Sequence, residues 1–315
     1  MVKKNPSVAV IDIGSNSIKL LVAARNERGQ LAARKTRTLD ARISAGISQN
    51  PPRLGDAGMT SGLGAVRELL AEAAPLSPAK TILVATSAVR DAANGAEFRA
   101  RVRTATGQDI RILSGDEEAN LIGAGLVCDP ALAGLRDFYV FDLGGGSLEC
   151  IAFRDRQAEQ KTSLPLGCVR LTEKFMPDPA GPFPAEAGAA VAAHVREALA
   201  QSGFRFAPAG LPAVFAGGSM TTTRAIFAAQ RGQPLEKTPP VVTVAEIRAL
   251  FDRVAPLPLA ERRRIHGLPP ARADVFPVAL ATILAVAEAA GVNEFQHSLY
   301  NLRWGLAAEA LGGLR

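Results

Sequence analysis

The sequence predicts an α/β protein of two similar lobes, on three observations. Strand-like and helix-like patterns alternate along the chain. A strand, tight turn and returning strand at the start recurs after Asp129-Pro130. A chain of 315 residues, 48% hydrophobic and 21% charged, is also long enough to bury two moderate cores.

Residues 7–24 cluster β-branched residues around Gly14, which predicts a β-hairpin rather than the strand-to-helix turn of a P-loop. A loop follows near residues 50–52. Leu63, Val66, Leu69 and Leu70 then give residues 61–73 helical spacing. Further along, residues 81–85 read as a buried strand, 94–102 as a helix, 110–113 as a strand and 117–126 as a helix. Past a boundary placed near residue 125, giving lobes 1–125 and 126–315, strands are expected at 138–143, 148–153 and 158–163. Next come a helix at 185–200, a strand at 213–216, a helix after Ser219 and a long apolar helix over 273–290.

Setting VAVIDIGSNSIKLLV beside YVFDLGGGSLECIAF aligns Asp12 with Asp142, Gly14 with Gly144 and Ser17 with Ser147. In each half a D-x-G-x-x-S turn puts a carboxylate at the end of a buried strand. Glycine amides that can approach a phosphate closely follow it, with a hydroxyl as a further donor. One such turn would be an ordinary hairpin with an Asx-type bond. The duplication, together with the Gly-rich turn AGGSMTTT opening a helix at 216–223, favours phosphate binding.

Composition narrows the chemistry. Cys128, Cys150 and Cys168 form neither an even set nor a CxxC pair, which argues against a disulfide framework or a zinc site and makes the cytoplasm the expected compartment. Three dispersed histidines cannot form a histidine metal cluster, so a metal would rest on oxygen ligands, as Mg2+ or Mn2+ does. The net charge of +6 suits an anionic partner, although clusters such as Arg262-Arg263-Arg264 read equally as solvated surface. With 5% aromatics, stacking on nucleic-acid bases has little support. The longest apolar stretch, interrupted by Pro277 and Glu288, is too short to span a bilayer, and the lysine-bearing start lacks a leader's cleavage pattern. Oligomeric state, a homodimer included, is not set by any motif.

Six motifs in order, DIGSNSIKLLV, ATSAVRDAAN, SGDEEANLIGAG, FDLGGGSLE, SLPLGCVRLTEKF and AGGSMTTT, resemble those of the exopolyphosphatase and guanosine pentaphosphate phosphohydrolase (Ppx/GppA) family of the actin, sugar-kinase and Hsp70 superfamily. The resemblance runs from about Ala9 to the C-terminus. It implies two ribonuclease-H-like lobes with an active-site cleft between them. It also implies a short form, without the HD-type helical domain of longer relatives.

The resemblance makes Glu118, the second glutamate of SGDEEA, the general base for an attacking water. A carboxylate at the start of a helix near phosphate loops is suited to that task, although the helix dipole alone would also favour Glu117 and Glu118 there. Asp142 and Glu149 are similar to the family's metal-holding and water-orienting carboxylates, with Asp12 their partner across the cleft. Phosphate contacts are implied for Gly14, Ser15, Asn16, Ser17, Lys19, Arg90, Gly144, Gly145, Gly146 and Ser147, and nucleotide or polyphosphate contacts for Gly217, Gly218 and Ser219.

Two departures stand out. Lys19 occupies a position where relatives carry arginine, keeping the charge but losing the bidentate fork. Trp304 replaces an acid in NLRWGL, where Arg303 and Gly305 match; Arg272 and its neighbours also match, but open a helix expected to be core. The resemblance implies an exopolyphosphatase acting on inorganic polyphosphate with Mg2+, and on guanosine pentaphosphate as a second substrate. Its rivals are an ATP-dependent kinase of the superfamily and a slow or noncatalytic sensor of guanosine tetra- or pentaphosphate.

Overall fold

The computed structural model describes residues 5–206 and 211–312; the opening lysines lie outside them. Contacts divide the chain into two units: residues up to Ala133 together with those from Tyr300 onward, and Gly134–Leu299.

In the first unit, β1 (Ser7–Ile13) and β2 (Ser17–Arg25) form the expected hairpin, with the edge strand β3 (Leu31–Asp40) beside β2. Helix α1 (Asp56–Ala73) leads to β4 (Lys80–Ala85), parallel to β1. The short α2 (Ser87–Asp91), α3 (Gly95–Thr106), β5 (Ile110–Ile112), parallel to β4, and α4 (Gly115–Val127) follow. The order is β3-β2-β1-β4-β5. Ile11, Ile13, Ile18 and Leu20 from the hairpin bury themselves with Val66, Leu69, Phe98 and Val102 from the helices. Strand β3 escaped the sequence reading because LAARKTRTLD is largely exposed and has no apolar alternation. Its cations are outward charges suited to a sheet edge, and Lys35 pairs with Glu72 of α1 at 2.8 Å.

The second unit repeats this plan. An antiparallel meander of β6 (Phe138–Leu143), β7 (Leu148–Arg154) and β8 (Gln157–Leu164) is followed by α5 (Cys168–Phe175), α6 (Ala185–Gln201) and β9 (Ala213–Ala216), which is parallel to β6. Then come α7 (Gly217–Gln230), β10 (Val241–Thr243), α8 (Val244–Val254), the short α9 (Leu259–Arg262), α10 (Phe276–Ala290) and β11 (Glu294–His297). The order β10-β11-β9-β6-β7-β8 contains the first unit's five-strand order with β10 added at one edge. The duplication read from two aligned turns therefore extends over each sheet, and the two expected α/β lobes are present. Helix α10 is buried on nearly every side, which accounts for its unbroken apolar run; it begins at Phe276, after a 3-10 turn at Pro270–Arg272.

The last helix, α11 (Leu302–Gly312), belongs to the first unit, so a division at residue 125 does not describe the chain. The physical reason is a close crossing of α11 and α4. A Cβ at Gly125 would collide with Asn301 O, and one at Gly305 with Leu121 O, so two glycines let the helices meet backbone to backbone. Trp304 is buried and stacks on Tyr300 with centroids 4.1 Å apart, an aromatic contact within this unit. No helix among the described residues is long and apolar enough to cross a membrane.

Candidate active site

In both units the candidate residues gather at the carboxyl ends of the parallel strands, where open α/β sheets hold their ligands. In the first unit Gly14 N–H donates to Ser17 O at 3.2 Å, closing the turn. Thr86 N–H reaches Ile13 O at 3.3 Å and Leu113 N–H reaches Ala85 O at 2.9 Å, drawing the starts of α2 and α4 to the same edge. The Ser15 and Ser87 hydroxyls lie 3.2 Å apart.

The turn's carbonyls are occupied: Ser15 O accepts from Ser44 N–H and Oγ–H, and Asn16 O from Arg42 N–H. The amides of Ser15 and Asn16 have no backbone acceptor among the described residues. In the second unit Gly144 N–H donates to Ser147 O at 3.0 Å. The carbonyls of Gly144 and Gly145 accept from Cys168 and Val169 N–H, and Gly146 O from Arg170 Nε–H at 3.1 Å. Again the amides of Gly145, Gly146 and Ser147 find no backbone acceptor among the described residues. Each turn has its carbonyls tied back and its donors left over, the polarity an anion requires.

Position by position the hairpins then diverge. Asp12 stands opposite Lys19, whereas Asp142 stands opposite Glu149. Antiparallel partners project to one face, so the second hairpin sets two carboxylates side by side. Both are buried, and Ser163 Oγ–H donates to Glu149 Oε1 at 2.8 Å. Two hard oxygen donors fit Mg2+ or Mn2+, which are commonly held by one or two carboxylates with substrate phosphates and water completing the shell. Among the described residues no group of three His, Cys, Asp or Glu side chains could hold a metal, so this shared coordination is the arrangement the donors fit.

Asp12 is half-buried, and its Oδ1, itself shielded from solvent, has no hydrogen-bond partner among the described residues. Burial raises its pKa above the ordinary aspartate value, against the opposing charges of Lys19 and Arg303.

The SGDEEA motif separates its two glutamates cleanly. Ser114 caps α4: its hydroxyl accepts from Glu117 N–H at 3.2 Å while Glu117 Oε2 accepts from Ser114 N–H at 2.8 Å, a reciprocal capping box. Glu117 is also paired with Arg111, and those hydrogen bonds hold its carboxyl below the usual glutamate range. Glu118, one residue on, turns inward, is buried, and accepts from Arg90 Nη1–H at 2.8 Å. Arg90 lies on α2, where Nη1 also reaches Leu113 O at 3.1 Å and Nε reaches Asp91 at 3.3 Å. The arginine expected to face phosphate is thus joined to the glutamate expected to be the base, a pairing across 28 residues that no local spacing encodes.

The third turn packs against the second. Gly217 has a φ of +86°, and a Cβ there would collide with Asp142 Oδ1, so only glycine fits behind that carboxylate. Ser219 Oγ–H donates to Leu143 O at 3.3 Å. A Cβ on Gly218 would run into the guanidinium of Arg272, which has no carboxylate partner among the described residues. Sequence reading missed this cation, because Arg272 was grouped with a core helix rather than with the turn before it.

A guanosine-5'-triphosphate,3'-diphosphate pyrophosphatase of Aliivibrio fischeri is 29% identical over 303 residues, covering 96% of this chain and 59% of that protein; the chain thus spans well under two thirds of its length. The Aquifex aeolicus PPX-GPPA enzyme structure is 25% identical with a TM-score of 0.77, covering 97% of this chain and 100% of that one. An exopolyphosphatase from Cytophaga hutchinsonii shares the fold with a TM-score of 0.86 at 22% identity, covering 98% and 99%. With the Ppx/GppA phosphatase family profile matching residues 20–312, across both repeated units, the chain belongs to the Ppx/GppA phosphatase family.

Proposed function

We propose that this chain hydrolyses the terminal phosphoanhydride of a polyphosphate-type anion, with inorganic polyphosphate as its principal substrate and guanosine pentaphosphate as a second. The observation that carries the reading is a turn in each unit whose carbonyls are tied back and whose amides are left as donors, with Glu118 at the start of α4 in the first unit and the Asp142–Glu149 pair in the second. The family membership supports the reaction class.

Each unit contributes one part of the chemistry. In the first, amides of the Gly14–Ser17 turn and the Lys19 ammonium hold phosphate oxygens, and Glu118 accepts the proton of the attacking water. The Arg90 guanidinium, 2.8 Å from Glu118 Oε2, holds the carboxylate in place for that task. In the second, the Gly144–Ser147 turn donates to phosphate while Asp142 and Glu149 would hold Mg2+. When bound, that ion would screen phosphate charge and favour the leaving oxygen. Arg272 beside Gly218 offers a further cation for a phosphate.

The test is orthophosphate release from long-chain polyphosphate and from guanosine pentaphosphate side by side, with and without Mg2+. Release from at least one, abolished by chelator, is expected, with KM rising as salt is added. Turnover that persists in excess chelator would remove the metal role. Binding without turnover would favour the sensor reading, and transfer that requires an acceptor hydroxyl would favour a kinase.

A further inference from the structure

Behind the Gly217 turn lies a chain of polar groups that runs from Thr221 of that motif to two buried residues outside every motif, His297 and Arg224. His297 ends β11, whose parallel pairing with β9 sets it beside Phe215, and it is 4% exposed. Arg224 of α7 brings Nη1 to 2.7 Å from His297 Nδ1. A guanidinium only donates, so Nδ1 is the lone-pair nitrogen and the ring proton sits on Nε2. Nε2 lies 3.0 Å from Thr221 Oγ1, which lies 2.8 Å from Gly217 O. The three bonds therefore run one way: Arg224 to His297, His297 Nε2–H to Thr221, and the Thr221 hydroxyl proton to Gly217 O.

Burial, then the charge of Arg224, lowers the His297 pKa to about 3, so the ring stays neutral and this polarity is fixed. The head of the chain is anchored as well. Arg224 Nη2 donates to Leu235 O, Thr238 O and Thr238 Oγ1 at 3.0, 2.8 and 3.2 Å.

A threonine bonding the carbonyl four residues back is common in helices, and Thr222 and Thr223 do the same in this turn. Only Thr221 is extended beyond its own helix, by a histidine and an arginine held against it. Its far end is the glycine whose backbone abuts Asp142 Oδ1.

We propose that Arg224, His297 and Thr221 are positioning residues that hold the Gly217 turn against Asp142 and thereby set the affinity for the divalent ion. The inference rests on the function proposed above, in which Asp142 is a metal ligand. It assigns a task to the buried Arg224 and His297 and the half-buried Thr221, which do not themselves touch phosphate or metal.

Mn2+ binding followed by electron paramagnetic resonance, phosphate release at graded Mg2+ and the thermal midpoint test it together. Thr221→Val removes the hydroxyl at nearly constant volume and should weaken Mn2+ binding roughly tenfold, within the range for a lost outer-shell partner. The Mg2+ needed for half-maximal rate should rise in step, with kcat at saturating Mg2+ close to wild type. Thr221→Ser should restore both. If Thr221→Val does not fold, His297→Gln, whose amide can accept at one end and donate at the other, replaces it; retained tight binding there with loss in His297→Leu supports the relay. Unchanged Mn2+ affinity in Thr221→Val or His297→Leu overturns the proposal, as does a fall in thermal midpoint with no change in ion affinity. A wild-type protein that releases phosphate but shows no such change defeats only this inference. One that neither binds Mn2+ nor releases phosphate defeats the function reading and the inference with it.

Discussion

The two hairpins β1–β2 and β6–β7 share a turn bond, a strand order and a seven-residue offset, yet they carry opposite chemistry. Asp12 faces Lys19, and Asp142 faces Glu149. The first hairpin balances its own carboxylate with a cation. The second places two acids on one face, an arrangement that is destabilising without a cation between them. Duplication supplied one scaffold twice, and one aligned position, 19 against 149, sets a cation opposite the carboxylate in the first hairpin and a second acid opposite it in the other. Both turns leave backbone amides without a backbone acceptor among the described residues.

The largest expected effect comes from erasing that difference. Glu149→Lys gives the second hairpin the first hairpin's pair and should lower Mg2+-dependent phosphate release by roughly 100-fold or more. The free protein should be no less stable, since a like-charge pair becomes an opposite one. Rates that stay within a few-fold of wild type would mean the carboxylate pair is not the metal site.

Next in size is the separation of the two glutamates of α4. Glu118→Gln keeps size and hydrogen bonding but cannot take a proton, so kcat should fall roughly 100-fold while KM changes little. Glu117→Gln should leave kcat near wild type and cost about 1 kcal/mol of stability through the weakened cap. A reversal of these two outcomes would exchange their roles.

A third expectation concerns what closes the first unit. Gly305→Ala places a methyl group against Leu121 O at the crossing of α11 and α4 and should cost about 1–3 kcal/mol. Gly134→Ala, where a Cβ meets nothing within 4 Å, serves as the control. Equal thermal midpoints for the two would show that α11 docks loosely.

The parts of this molecule legible in the sequence are those whose signal is local. The D-x-G-x-x-S turns, the hairpins around them and the acidic helix start of SGDEEA are each written within a few residues. Strand β3 was missed because an edge strand carrying Arg34, Lys35 and Arg37 shows no apolar alternation. The return of α11 to the first unit was missed because Gly125 and Gly305 meet only in space. The same holds for Arg90 with Glu118 and for Arg224 with His297, pairs separated by 28 and 73 residues. Arg90 and Glu118 each stand in a motif, and only their contact with each other is written nowhere in the sequence.

The smallest effect bears on how completely the first hairpin neutralises its acid. If Lys19 and Arg303 fully offset the burial of Asp12, its pKa would not be raised; it is raised, with desolvation the leading cause. A carboxyl whose folded pKa lies above its unfolded value binds its proton more tightly when folded. Between the two values the folded state holds more protons than the unfolded one, so stability falls as pH rises from the ordinary aspartate range through the folded pKa, and the penalty persists at neutral pH. Asp12→Asn removes the ionisation and keeps the shape. Its thermal midpoint should match wild type at pH 3 and exceed it by a small margin at pH 7, the gap opening as pH passes the folded pKa. Equal midpoints for Asp12→Asn and wild type at pH 7 would mean that Lys19 and Arg303 offset the desolvation of Asp12 in full, and the carboxyl would then carry no penalty at neutral pH.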